Sequence, residues 1–135
     1  MKTKRRELFA LPLAAFPLAA AAKLPDVTRT AAEAQATQEP FGELRVYFDG
    51  PTDQLISMTA GSLRLKPGMS PHPPHQHDEE EIMVITEGTG EISIEGKVSK
   101  VGPGTMMYCS ANKPHGIVNT GKSYLFFYYY KWKGR

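Results

Sequence analysis

Cysteine is almost absent. Cys109 is the single one among 135 residues, which excludes an internal disulfide and leaves packing, or a bound metal, to stabilise the fold. Long apolar runs are missing too. The nearest thing to one, Leu8 to Ala22, is fifteen residues broken by Pro12 and Pro17, too short and too interrupted for a comfortable membrane span. Nor does the body carry a surplus of one charge. Residues 1–22 hold Lys2, Lys4, Arg5 and Arg6 against Glu7, a net +3, whereas residues 23–135 hold 12 bases and 13 acids, a net −1. The near-neutral body therefore gives no electrostatic case for nucleic-acid binding, and the basic character belongs to the N-terminus alone. No confident helix and no internal repeat stand out, and the length suits a single domain.

The N-terminus reads MKTKRRELFALPLAAFPLAAAAK: a basic segment, an Ala-rich apolar stretch, then small residues suited to signal-peptidase cleavage near Ala22. Arg5-Arg6 followed by Glu7, Leu8 and Phe9 resembles a twin-arginine export signal, departing from that pattern at Lys4. Residues 1–22 are thus expected to be a signal peptide, and the mature protein to be exported, periplasmic or extracellular. Residues 23–40, polar and Ala-rich, are expected to form a linker or a loosely helical arm.

From Phe41 the texture changes. ELRVYFD places Leu44, Val46 and Phe48 in alternation with polar or amphipathic neighbours, the period of a half-buried strand. Further strands are predicted in QLISMTAGSLRL, EIMVIT, EISIEG, KVSKV, TMMYC, HGIVN and SYLFFYYYKW, separated by GPTD, EGTGE, GPG, SANKP and TGK. Short strands with turns every 6 to 12 residues predict an all-β sandwich or barrel over 41–135. In the closing strand, six of seven positions from Phe126 to Trp132 are aromatic. Both of its faces are therefore expected to be covered, one by the core and the other by the N-terminal strand or a second subunit.

Chemistry concentrates in SPHPPHQHDEEEIMVITEG, residues 70–88, which holds three of the four histidines beside four consecutive acids. The segment is either half of a metal site or a polar, proline-broken turn. On an extended strand His75 and His77 point to one face, so both imidazoles can meet one ion. Asp78, Glu79 and Glu80 leave room for a reversal, after which Glu81, Met83 and Ile85 share one face and Ile82 and Val84 the other. If that first face points inward, Glu81 meets the two histidines, and His115, opening a later strand, supplies a third nitrogen. Three imidazoles and a carboxylate leave one or two positions open on an octahedral ion.

The spacing His75-x-His77, three residues, Glu81, six residues, Gly88 resembles the first motif of the cupin superfamily; Gly68 lies one residue off the usual place. Gly104, Ser110-Ala111-Asn112, His115 and Asn119 keep the spacing of the second motif. Ser110 there replaces a proline and Asn112 a glycine, at a turn whose left-handed backbone asparagine tolerates. The resemblance covers roughly residues 61 to 130. It implies a cupin-type β-barrel, a double-stranded β-helix or jelly roll, with His75, His77, Glu81 and His115 holding one divalent metal. It also implies metal-dependent chemistry on a small oxygen-rich molecule, of dioxygenase, isomerase or decarboxylase type, with Glu81 as a possible base as well as a ligand. The alternative is a non-catalytic module that binds a metal or small ligand, since one fold hosts both. The ligand set accepts Mn, Fe, Ni, Cu or Zn; loading in the cytoplasm before twin-arginine export favours Mn or Fe. Small cupins often form dimers, which makes a homodimer the expectation.

Around these residues, His72 between Pro71 and Pro73 is expected at the rim of the pocket. Cys109 reads as a small buried hydrophobe. Met83, Ile85, Met106, Met107 and Tyr108 are expected in the barrel wall, with Tyr108 the weakest candidate for a hydroxyl facing the substrate.

Overall fold

Among the described residues nine strands form, all but the first where the alternation and the turn residues place them. In the computed structural model, which describes residues 21–135, these are β1 (Gln35–Glu39), β2 (Gly42–Gly50), β3 (Leu55–Leu65), β4 (Glu80–Glu87), β5 (Gly90–Ile94), β6 (Lys97–Val101), β7 (Met106–Cys109), β8 (His115–Asn119) and β9 (Leu125–Gly134). All pairings are antiparallel. One sheet runs β1-β2-β3-β9-β4-β7 and the other β6-β5-β8, and the two enclose a common hydrophobic interior. The all-β expectation for 41–135 is met. The segment expected to be a signal peptide, apart from Ala21 and Ala22, lies outside the described residues. Among the described residues no helix is long and apolar enough to cross a membrane.

Two turns show why glycine stands where it does. Gly88, between β4 and β5, has φ +82°, and a Cβ there would lie 2.3 Å from the Tyr124 carbonyl oxygen. Only glycine satisfies both the left-handed backbone and that close approach. Asn112 takes φ +60° in the loop before β8, the conformation that its place in the second motif requires.

The segment 23–40 departs from the expected linker or helical arm, because Gln35–Glu39 pairs in register with Glu39↔Gly42 through Gln35↔Val46. QATQE has almost no apolar face and lies exposed at the sheet edge, so backbone pairing rather than burial holds it.

Cross-strand register sorts the large sheet into inward rows. Leu44, Leu63, Phe127 and Ile85 make one; Gly61, Tyr129, Met83 and Met107 the next; Asp49, Thr59, Lys131, Glu81 and Cys109 the third. The interior therefore grades from apolar to polar. Leu65, Ile85, Leu125 and Phe127 are almost fully buried and pack with Ile92, Val101 and Ile117 of the small sheet. Each such side chain contributes about 1.5–3 kcal/mol by leaving water. The polar row is the exception in this core and marks where chemistry sits.

Of the two covers expected for the outer face of β9, the N-terminal strand does not serve. That strand, β2, lies in the same sheet beyond β3, with β1 at its far side, so neither lies across Phe126, Tyr128, Tyr130 and Trp132. Met106, Tyr108 and Tyr130 stay 65%, 55% and 41% exposed on that side. Met106 and Tyr108, expected in the barrel wall, instead point outward, because Cys109 and Met107 take the two inward positions of β7.

Candidate metal centre

The histidine segment is not the strand that its HxH spacing suggested. Pro71, Pro73 and Pro74 lack backbone donors, and residues 66–79 make only one isolated bridge, His75↔His115. That bridge does the positioning instead. His75 N–H donates to His115 O at 3.0 Å and His115 N–H to His75 O at 2.9 Å, fixing the two residues opposite each other. Asn112 N–H then donates to His77 O at 2.7 Å, tying the loop before β8 to the third histidine.

The three imidazoles converge. One ring nitrogen from each of His75, His77 and His115 lies within 4.8 Å of the others. Ring centroids are 4.9–5.3 Å apart and the planes nearly perpendicular, at 70–85°, so the rings surround a point rather than stack. Glu81, inward on β4, brings the carboxylate: its Oε2 lies 2.7 Å from His115 Nε2 and 3.0 Å from His77 Nε2.

Backbone carbonyls orient two of the rings. His115 Nδ1 donates to Lys113 O at 2.9 Å and His77 Nδ1 to Glu79 O at 3.0 Å, which leaves both Nε2 atoms facing Glu81. Such partners fix tautomer and ring plane in metal sites. Burial works to raise the Glu81 pKa, but hydrogen bonds and charge from His115 and His77 outweigh it and hold the carboxyl below its usual value. The bond to Glu81 raises the His115 pKa against its own burial. His75 goes the other way, to about 4, through desolvation and the neighbouring imidazoles of His72, His115 and His77. Its ring is neutral at pH 7 and has a lone pair to give.

These residues fit a first-row divalent ion. Metal–nitrogen and metal–oxygen bonds of about 2.1 Å place adjacent octahedral donors about 3 Å apart. The two contacts from Glu81 Oε2 to imidazole nitrogen are already of that length. Three neutral-capable nitrogens and one carboxylate oxygen suit Mn, Fe, Ni, Cu or Zn. His75, His77 and Glu81 border a cavity of about 770 Å³ lined also by Phe41, Leu63, Met83, Phe127, Tyr129 and Lys131, with His115 buried behind them.

Residues 61–129, 69 of the 135, match the Cupin_2 family model, described as a cupin domain. The chain belongs to the cupin family. Solved structures agree on the barrel. An RmlC-like cupin from Shewanella frigidimarina superposes with a TM-score of 0.65 at 13% identity, covering 79% of this chain and 90% of the other. A predicted oxalate decarboxylase from Thermotoga maritima gives 0.65 at 21% identity, covering 79% and 99%. KdgF from a Halomonas species gives 0.62 at 20%, covering 76% and 89%. At these identities the likeness is one of fold. Comparison with curated proteins yields no match.

Around the centre of this cupin, several side chains lie elsewhere than expected. His72 does more than line the rim: its ring stacks on His75 at 3.7 Å between centroids and 23° between planes. Tyr108 faces outward and donates to Glu80 Oε1 at 2.6 Å, so it presents no hydroxyl to the cavity. Glu80 also accepts from Trp132 Nε1 at 2.9 Å, and Asp78 pairs with Lys133, which binds both acids to the surface. Cys109 is buried in the core as expected, with Sγ 3.6 Å from His115 Nδ1.

Tyr129 and Lys131 went unnoticed in the sequence. Tyr129 points into the cavity because its strand partner is Gly61, where a Cβ would lie 2.5 Å from the phenol oxygen. Burial, then the charges of Glu81 and Asp49, push that phenol up to about 12. The signal for both residues was strand alternation through the aromatic run, where Phe127, Tyr129 and Lys131 share a face.

Proposed function

We propose that this cupin is a metal-dependent enzyme acting on a small oxygen-rich molecule, of dioxygenase, isomerase or decarboxylase type. The observation that carries the reading is the convergence of His75, His77 and His115, with Glu81 against two of them, beside a cavity large enough for such a molecule. His75, His77 and His115 hold one divalent ion, Mn or Fe in preference to Ni, Cu or Zn. When bound, the ion supplies a Lewis acid with coordination positions left for substrate oxygen. Glu81, beside His77 and His115, would complete the set that holds the ion and would also serve as a base toward a bound substrate. The buried apolar wall of Leu63, Met83 and Phe127 keeps water away from one side of that position.

The proposal extends to place and assembly. The leader resembling a twin-arginine signal supports export to the periplasm or beyond after loading in the cytoplasm. The uncovered outer face of β4, β7 and β9 supports a homodimer that buries Met106, Tyr108 and Tyr130.

The test is turnover by protein of verified metal content. Dicarboxylates, keto acids and polyols are incubated with Mn- and Fe-loaded protein while oxygen uptake, carbon dioxide release and isomer formation are followed. Turnover lost in Glu81→Gln with the fold intact supports the enzyme. Stoichiometric metal without turnover on any of them would leave a carrier or binding module in its place.

A further inference from the structure

The charged side chains facing the cavity are unevenly satisfied. Glu81 is held by His77 and His115, Asp78 by Lys133 at 2.5 Å, and Asp49 accepts from the Thr59 hydroxyl at 3.0 Å. Glu39 lines the cavity from the sheet edge. Lys131 differs. It is the only lysine or arginine lining the cavity among the described residues, and it sits beside Glu81 in cross-strand register. Its nearest acid, Glu79, stands at 3.7 Å, beyond hydrogen-bonding distance. Loosely paired and 33% exposed, the ammonium has donors to spare for a ligand oxygen.

Two neighbours sharpen the chemistry. Tyr129, the next inward residue on β9, keeps its proton and so offers an O–H donor on the same wall. Beyond it the cavity is apolar, with Phe41, Leu63, Met83 and Phe127. Two donors on one wall of the cavity and an apolar floor describe a ligand with an ionised oxygen at one end and a hydrocarbon body at the other. Glu79 tempers the positive charge without filling the donors of Lys131.

We propose that Lys131 and Tyr129 recognise a carboxylate on the ligand, so that the oxygen-rich molecule taken by this cupin is a small carboxylic acid with an apolar body. The inference rests on the metal-centred reading above. It is separable from it, because Lys131 is not a metal ligand.

The probes are 4-methyl-2-oxopentanoate and its neutral carboxamide, titrated calorimetrically into Mn-loaded wild type, Lys131→Met and Lys131→Arg, with manganese content measured in each. A charge-assisted contact predicts that wild type prefers the acid by about ten- to hundred-fold. Lys131→Met should keep its manganese yet lose most of that preference, and Lys131→Arg should retain it. Equal binding of acid and amide by wild type, no binding of either, or an undiminished preference in Lys131→Met would overturn the proposal. If wild type holds no metal, the metal-centred reading fails on its own. The same acid-over-amide comparison in metal-free protein then decides the role of Lys131, with a smaller preference, still lost in Lys131→Met, supporting it.

Discussion

Asn119 closes the second cupin motif, four residues after the ligand His115, yet its contacts give it a purely structural part. Its side chain is fully buried at 0% exposure. Nδ2 donates to Leu65 O at 3.0 Å and to Ser123 O at 2.9 Å, and Oδ1 accepts from Gly121 N–H at 3.0 Å. Asn119→Ala deletes all three bonds and leaves the fully buried Leu65 without that donor. At about 1 kcal/mol net per bond, with a further desolvation cost for the groups left unpaired, the expected loss is about 3–4 kcal/mol. At about 4 °C per kcal/mol for a domain of this size, the melting temperature should fall by about 12–16 °C. Urea unfolding should show a lower midpoint at unchanged slope. Asn119→Asp, which keeps the acceptor for Gly121 but removes both donors and buries a charge, should be at least as damaging. His115 and Asn119 stand at opposite ends of β8, about 13 Å apart along a strand, so metal content should not change in the folded fraction. A loss under 1 kcal/mol would refute the tie. A folded Asn119→Ala that releases its metal would place the residue in the site instead.

Other expectations follow from single contacts. Gly88→Ala, with its Cβ driven against Tyr124 O, should cost more than about 2 kcal/mol, whereas Gly68→Ala, also left-handed at φ +76° but facing open space, should cost about 1 kcal/mol; parallel urea titrations compare them. Removing the imidazole that stacks on His75, as in His72→Ala, should weaken metal affinity by about two- to ten-fold, and His72→Phe should restore it, because the stack and not a ring nitrogen holds His75; calorimetric titration of Mn into both variants reads this. Sedimentation should find a dimer for wild type and a monomer for Met106→Lys/Tyr130→Lys, and a monomeric wild type would remove the homodimer from the proposal.

What could be read in advance follows a physical divide. Alternation is a local property, so ELRVYFD, EIMVIT and EISIEG declared their strands and put Glu81 on one face with Met83 and Ile85, while which face turned inward was left to the fold. Positive φ is likewise a property of one residue, which is why Asn112 could be foreseen as a stand-in for glycine. Strand β1 could not be foreseen, because QATQE buries nothing and owes its conformation to a partner further along the chain. His75 and His77 converge for a reason other than their spacing: the bridge to His115 aligns them where the prolines forbid a ladder. The stack of His72 on His75 depends on how Pro71 and Pro73 turn the chain, and no periodicity reports that. Lys131 was hidden in plain view, since a charge at the end of an aromatic run reads as a surface residue until the register pairs it with Glu81.

The central claim is that His75, His77, Glu81 and His115 hold a metal ion. Elemental mass spectrometry on the protein recovered from its native export route, beside the His75→Ala/His77→Ala variant, tests it most directly. About one equivalent of Mn or Fe per chain, lost in the variant, is the predicted result. Metal absent from both, with the variant equally stable, would contradict it.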